Sequence, residues 1–129
     1  MTEIYLEAFT GNDAVKTITV PEGVERLRFQ GCRNLQAVTL PGTLQKLGAY
    51  AFSECPSLTS ITIPASVTEI EDNAFTFCNA LAEIHIPAAT VSIGADAFCY
   101  CASNLTIHAP VGSCAEQYAK EHNIPFEAE

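Results

Sequence analysis

Six cysteines and three histidines offer the most chemistry in this 129-residue chain. A cysteine count this high in a small chain first suggests disulfides, but four of them, Cys32, Cys55, Cys78 and Cys101, stand 23 residues apart without exception. Zinc sites gather their ligands through short Cys-x-x-Cys type spacings, and the one close pair here is Cys99 with Cys101. Even spacing instead gives each thiol the same place in a repeating unit, where cysteine acts as a small buried hydrophobe. Cys99 and Cys114 fall outside this structural ladder. Cys99 replaces Ser53 and Thr76 of the neighbouring units, which suggests an accessible position, and Cys114 would open a helix, where thiols gain reactivity. A reactive thiol, a Cys99–Cys114 bridge and two idle thiols are all compatible with the spacing.

His85 and His108 are also 23 residues apart. On adjacent strands they would sit about 5 Å apart on one face, with Glu83 two residues away on the same side. Two imidazoles and a carboxylate are a ligand set for a transition metal; simple neighbourliness is the plainer reading. For catalysis the chain offers no Gly-x-Ser-x-Gly, no His-Glu-x-x-His and no phosphate-cradling glycine loop. No catalytic residue is assigned, no cofactor is expected, and the chain is not expected to be an enzyme.

The elements that must position these side chains come from a repeat. Leu58, Ile61, Ile63, Pro64, Val67, Ile70, Ala74, Phe75 and Cys78 recur as Leu35, Val38, Leu40, Pro41, Leu44, Leu47, Ala51, Phe52 and Cys55, and again from Leu81 through Ile84, Ile86, Pro87, Ile93, Ala97, Phe98 and Cys101. An abbreviated copy precedes them, with Val15, Ile18, Val20, Pro21, Val24, Leu27, Phe29 and Cys32, and a partial one follows with Ile107, Ala109 and Pro110. A fixed period of this size means a solenoid or propeller. In each unit, apolar residues such as Ile61 and Ile63 alternate with polar Ser60 and Thr62, which predicts a short strand with one buried face. The proline ends it, because it lacks the donor a central strand must supply. Val67 and Ile70 mark a second inward-facing stretch. Gly48 and Gly94 suit a tight corner after it, although Glu71 fills the equivalent place. Ala-Phe and Cys then form a short helical or irregular return, with Phe as the largest plug in each coil.

Stacking places like on like, in ladders such as Ile18/Val38/Ile61/Ile84/Ile107, Val20/Leu40/Ile63/Ile86/Ala109, Leu27/Leu47/Ile70/Ile93 and Phe52/Phe75/Phe98. About five coils would make a rod only about 25 Å long. Its ends need covering. Ser113 and Glu116 form a capping box, and Ala115, Tyr118, Ala119 and His122 follow at helical spacing on one largely apolar face. Asn123 and Pro125 end this helix. The expected organisation is an amino-terminal capping segment over residues 1–14, a repeat array over 15–109 and a carboxy-terminal cap over 110–129, with a helix at about 113–122 and a terminal extended segment. Ile4, Leu6 and Phe9, with a turn at Gly11, Asn12 and Asp13, would cover the first coil.

This pattern, Leu-x-x-Ile-x-Ile-Pro-x-x-Val-x-x-Ile with a later Ala-Phe-x-x-Cys, resembles the BspA-like leucine-rich repeats of bacterial surface proteins. The tail from Pro110 to Phe126 is similar to the segment that closes such arrays. The shortened first repeat and Thr90 at a valine position depart from the pattern. The resemblance implies an α/β solenoid, a right-handed leucine-rich repeat coil with a parallel sheet on one face and a capping helix. It also implies binding on the exposed strand face, whose outward columns are Thr17, Ala37, Ser60, Glu83 and Thr106, then Thr19, Thr39, Thr62, His85 and His108. Threonine suits exposed strand positions without any function. Phe77 and Tyr100 precede ladder cysteines where Gly31 and Glu54 stand in earlier coils. Exposed, they would be an aromatic anchor of the kind that dominates interfaces; packed on each other or on the helix, they would be structural.

Charge narrows the partners. The formal charge is −9, and residues 51–129 carry Lys120 alone against ten acids. Nucleic acid and anionic membranes both require basic patches. No stretch approaches the roughly 20 apolar residues of a spanning helix, and the start of the chain lacks the basic and apolar runs of a signal peptide. The expected function is a non-catalytic module for protein–protein interaction or adhesion, favoured as a monomer, with a host extracellular protein as partner and a secreted or cell-surface location implied by the resemblance. The alternatives are a structural spacer of a larger surface protein and, third, a metal- or thiol-dependent activity.

Overall fold

A computed structural model describes residues 5–6, 14, 16–24, 26–27 and 29–129. Short strands follow one another as β1 (Tyr5–Leu6), β2 (Thr17–Thr19), β3 (Arg26–Leu27), β4 (Ala37–Thr39), β5 (Lys46–Leu47), β6 (Ser60–Thr62), β7 (Glu69–Ile70), β8 (Glu83–His85), β9 (Ser92–Ile93) and β10 (Thr106–Ala109), then helix α1 (Cys114–Glu121) and strand β11 (Phe126–Ala128). Every pairing among them is parallel. This is a solenoid of about five turns with one helix at its carboxy-terminal end.

The repeat period sets the register. On the first face β2 pairs with β4 through Ile18 and Val38, and β6, β8 and β10 align Ile61, Ile84 and Ile107. Ile61, Ile84 and Ile107 are buried while Ser60, Thr62 and Glu83 beside them stay exposed, each such burial contributing roughly 1.5–3 kcal/mol. The second inward-facing stretch is itself a sheet, with β5, β7 and β9 aligning Leu47, Ile70 and Ile93, and β1 pairing with β3 through Leu6 and Leu27. Tyr5 and Leu6 thus add a strand ahead of the first full coil; Ile4, Phe9, Gly11 to Asp13 and Val15 lie outside the described residues.

The aromatic column is longer than the three-ring ladder expected from the repeat. Phe29 stacks on Phe52 at 5.6 Å and 27°, Phe52 on Phe75 at 5.5 Å and 11°, and Phe75 on Phe98 at 5.3 Å and 9°. The tilt of the first pair has a cause in the sequence. Leu27 and Phe29 are separated by one residue, whereas Leu47 and Phe52 are separated by four, so coil one returns without the corner the others use. The hydrogen-bonded second face breaks at the same joint, β3 and β5 touching without sharing a sheet. The first face also breaks between β4 and β6, for which the sequence gives no counterpart.

The corners after Leu47, Ile70 and Ile93 need no positive φ, as Glu71 at the equivalent place implies. Positive φ falls on Tyr50 and Asn73 and on the residue before each ladder cysteine, namely Gly31, Glu54, Phe77 and Tyr100, and not on Gly94. Gly94 is required for another reason. A Cβ there would stand 2.4 Å from the Asp72 backbone nitrogen of the preceding coil, so glycine permits the two corners to nest.

Helix α1 closes the end. Ser113 caps it by accepting from the Glu116 N–H at 3.2 Å, and the Glu116 carboxylate accepts from the Gly112 N–H at 2.7 Å. The first bond satisfies an orphan donor of the helix; the second holds the residue before the cap, the Ser113 N–H donating instead to the Pro110 carbonyl at 3.2 Å. Ala115, Tyr118 and Ala119 are buried as the spacing predicts, but His122 is exposed; it leaves the helix at the C-cap and stacks on Tyr118 at 3.9 Å. The Tyr118 ring meets Phe98 edge-on at 5.9 Å and its hydroxyl donates to the Ala95 carbonyl at 3.1 Å. One side chain thereby ends the phenylalanine column and satisfies a backbone acceptor. Burial pushes the Tyr118 phenol up to about 12.

Candidate functional site

The outward columns of the first face divide into two zones. Thr17, Thr19, Thr39, Ser60, Thr62 and Glu83 are exposed, while His85, Thr106 and His108 are half-buried. The difference comes from β11, which adds to β10 with Phe126 opposite Ile107, Glu127 opposite His108 and Ala128 opposite Ala109. Phe126, Glu127, Ala128 and Glu129 alternate, so a strand here aims both glutamates to the wet face. They land beside the histidines. That alternation was the signal in the sequence, but only the pairing of β11 with β10 tells where the carboxylates go.

His85 and His108 oppose each other in register, their rings stacked at 4.6 Å and 21°. The Glu129 carboxylate contacts His85 Nδ1. His108 Nε2 lies 3.6 Å from Glu83 Oε1 and 3.8 Å from Glu127 Oε2, beyond hydrogen-bond reach. This nitrogen is buried and has no hydrogen-bond partner. Two imidazoles and three carboxylates therefore share one patch at the carboxy-terminal end of the face. The sequence brought Glu83 to it; Glu127 and Glu129 it did not.

The cysteine ladder has a specific structural task. The Cys55 thiol donates to the Phe29 carbonyl at 3.2 Å, Cys78 to Phe52 at 3.0 Å and Cys101 to Phe75 at 3.1 Å. Each sulfur stitches its coil to the backbone of the coil before it. Desolvation pushes Cys55 up to about 12 and Cys101 up to about 11, and it raises Cys78 further. These thiols stay protonated and unreactive at neutral pH, since the thiolate is the nucleophile. None of the six cysteines is joined in a disulfide. Ser53 and Thr76 are buried, so their equivalence to Cys99 did not signal accessibility: the column is interior within the array, Thr76 donating to Asp96 of the next coil at 3.3 Å. Cys99 nonetheless retains partial exposure near the array's end, as does Cys114 as first residue of α1.

Phe77 and Tyr100 are both stacked and exposed. Their rings lie 4.8 Å apart and 5° from parallel, with 45% and 67% of each residue open to solvent. Both have positive φ, 65° and 61°, uncommon for bulky residues.

No helix among the described residues is long and apolar enough to cross a membrane. A model for the BspA type leucine rich repeat region matches residues 2–118 in six copies. No curated protein matches the chain. Among solved structures, a leucine-rich repeat protein of T. pallidum is 31% identical, with a TM-score of 0.77 over 85% of this chain and 53% of that one. A leucine-rich repeat protein from Bacteroides ovatus is 26% identical, with a TM-score of 0.72 over 98% of this chain and 42% of that one. A leucine rich cell surface protein from Faecalibacterium prausnitzii is 27% identical, with a TM-score of 0.66 over 81% of this chain and 34% of that one. The chain thus spans from a third to about half of these proteins. With that match running over residues 2–118, the chain belongs to the BspA type leucine-rich repeat family.

Proposed function

We propose that the chain is a non-catalytic module that binds a protein partner. The observation that carries this reading is the exposed Phe77–Tyr100 stack. Gly31 and Glu54 fill the equivalent places in earlier coils, so a coil closes without an aromatic there. Two adjacent coils nonetheless hold large rings in solvent on a backbone conformation that disfavours them. Exposed aromatics of this kind are the residues that dominate interface energies. The Thr/Ser columns on β2, β4 and β6 supply a second exposed surface, of the extended type that solenoids present. The acidic balance disfavours nucleic acid as the partner. A relative described as a cell surface protein supports a bacterial surface or secreted setting, with adhesion to a host protein as the role.

The test is retention of proteins from extracellular matrix and from bacterial envelope extract on the immobilised chain, followed by dissociation constants for each retained protein. A Phe77→Ser/Tyr100→Ser variant and a Thr62→Arg/His85→Ala variant, each verified as folded, separate the two surfaces. A partner lost with one variant and kept with the other supports binding and locates it. A second reading, a segment that spaces or presents another domain, draws on the greater length of the solved relatives; it predicts that no partner responds to either variant.

A further inference from the structure

We infer that His85, His108 and Glu129 form a site for a borderline divalent cation of the zinc class, closed by Glu83 or Glu127. The argument starts from what the patch leaves unmade. His108 Nε2 is buried without a hydrogen-bond partner, a state that normally costs free energy and calls for an explanation. Two carboxylates approach it, Glu83 at 3.6 Å and Glu127 at 3.8 Å. That spacing is too long for a hydrogen bond and close to the separation of two ligand atoms on one metal. With Zn–N and Zn–O bonds of about 2.0–2.2 Å and tetrahedral angles, ligand atoms stand about 3.4 Å apart.

The rest of the ligand set is in place. One donor atom from each of His85, His108 and Glu129 lies within 4.8 Å of the others. An ion needs the direct His85–Glu129 contact to open and the longer separations to close, shifts of about 1 Å shared among three side chains, and His85 and Glu129 keep room to move because both are partly exposed. Imidazole nitrogen with carboxylate oxygen selects zinc, nickel or copper over magnesium or calcium, which prefer oxygen alone. Three carboxylates around two imidazoles also place negative charge where a dication would be held. The ligands come from β8, β10 and the end of the chain beyond β11, so the ion clamps the terminal strand to the last two coils. Its role is structural, holding the segment after β11 against β8 and β10.

The test is a calorimetric titration of the whole chain with Zn²⁺, under reductant, beside three variants: His85→Gln, Glu129→Gln and Cys99→Ser/Cys114→Ser. Glu129→Gln changes one partly exposed atom at the edge, so it tests the site without threatening the fold. The inference predicts one ion per chain at micromolar affinity, weakened on the order of tenfold or more in the first two variants and unchanged in the cysteine variant. It also predicts that zinc raises the thermal midpoint of the parent chain more than that of Glu129→Gln. Absence of binding in the micromolar range overturns it. So does binding that survives both His85→Gln and Glu129→Gln, or binding that disappears with the two thiols.

Discussion

The buried thiol ladder makes stability fall on the alkaline side, by an amount the structure sets. Cys55 and Cys78 are fully buried, and desolvation raises both thiols from an ordinary value of 9.0, Cys55 to about 12. In the unfolded chain both ionise above pH 9; in the folded chain they hold their protons. Between pH 9 and 12 the folded state therefore binds more protons than the unfolded one, so stability present below pH 9 drains away as pH rises. Each thiol contributes a loss of about 1.4 kcal/mol per pH unit in that window. From pH 8 to pH 10 the pair accounts for a loss of about 3 kcal/mol. The assay is urea denaturation under reductant at pH 8, 9 and 10, comparing the parent chain with Cys55→Ala/Cys78→Ala. The double variant is less stable throughout, because it loses two thiol–carbonyl bonds to Phe29 and Phe52 and leaves two small cavities. Its dependence on pH, however, is shallower by the same amount, about 3 kcal/mol over the two units. Lysine and tyrosine titrations appear in both chains and cancel in the comparison. Identical pH slopes for the two proteins would refute the reasoning, since they would mean that these thiols ionise as easily folded as unfolded.

Other perturbations probe the remaining links between coils. Phe75→Ala removes a fully buried ring stacked on both sides and is expected to cost about 3–5 kcal/mol by equilibrium denaturation; a loss below 1 kcal/mol would show that the column is not the main seam. Gly94→Ala forces a Cβ against the Asp72 backbone and is expected to cost about 1–3 kcal/mol, visible as a lower thermal midpoint, whereas Gly42→Ala, with open space around it, serves as the neutral comparison. Ser113→Ala deletes the cap of α1 and is expected to cost about 1 kcal/mol, with amide exchange rising first in the helix, and Ser113→Asp should restore most of it.

The periodic part of this molecule was open to inspection in its sequence, because a solenoid stacks each residue on its own equivalent one coil away. Once Ile61, Ile84 and Ile107 share a position in the repeat, their registry follows, and so do the phenylalanine column and the burial of Cys32, Cys55 and Cys78. The helix start at Ser113 was equally local, being a matter of which side chain reaches which free N–H. The tertiary structure alone decided what lies between unlike positions. Cysteine's acceptor is the carbonyl of Phe29, Phe52 or Phe75, 26 residues back and so out of the repeat frame. Gly94 is needed for the approach of Asp72 and not for its own torsion. Phe77 and Tyr100 could as well have been packed away as left in solvent, because the repeat fixes which coil a side chain belongs to but not what covers it. The cluster at His85 and His108 depends on a segment that does not repeat: β11 returns to pair with β10 and delivers Glu127 and Glu129. Periodicity carries no information about such a return, since the tail has no equivalent in any other coil.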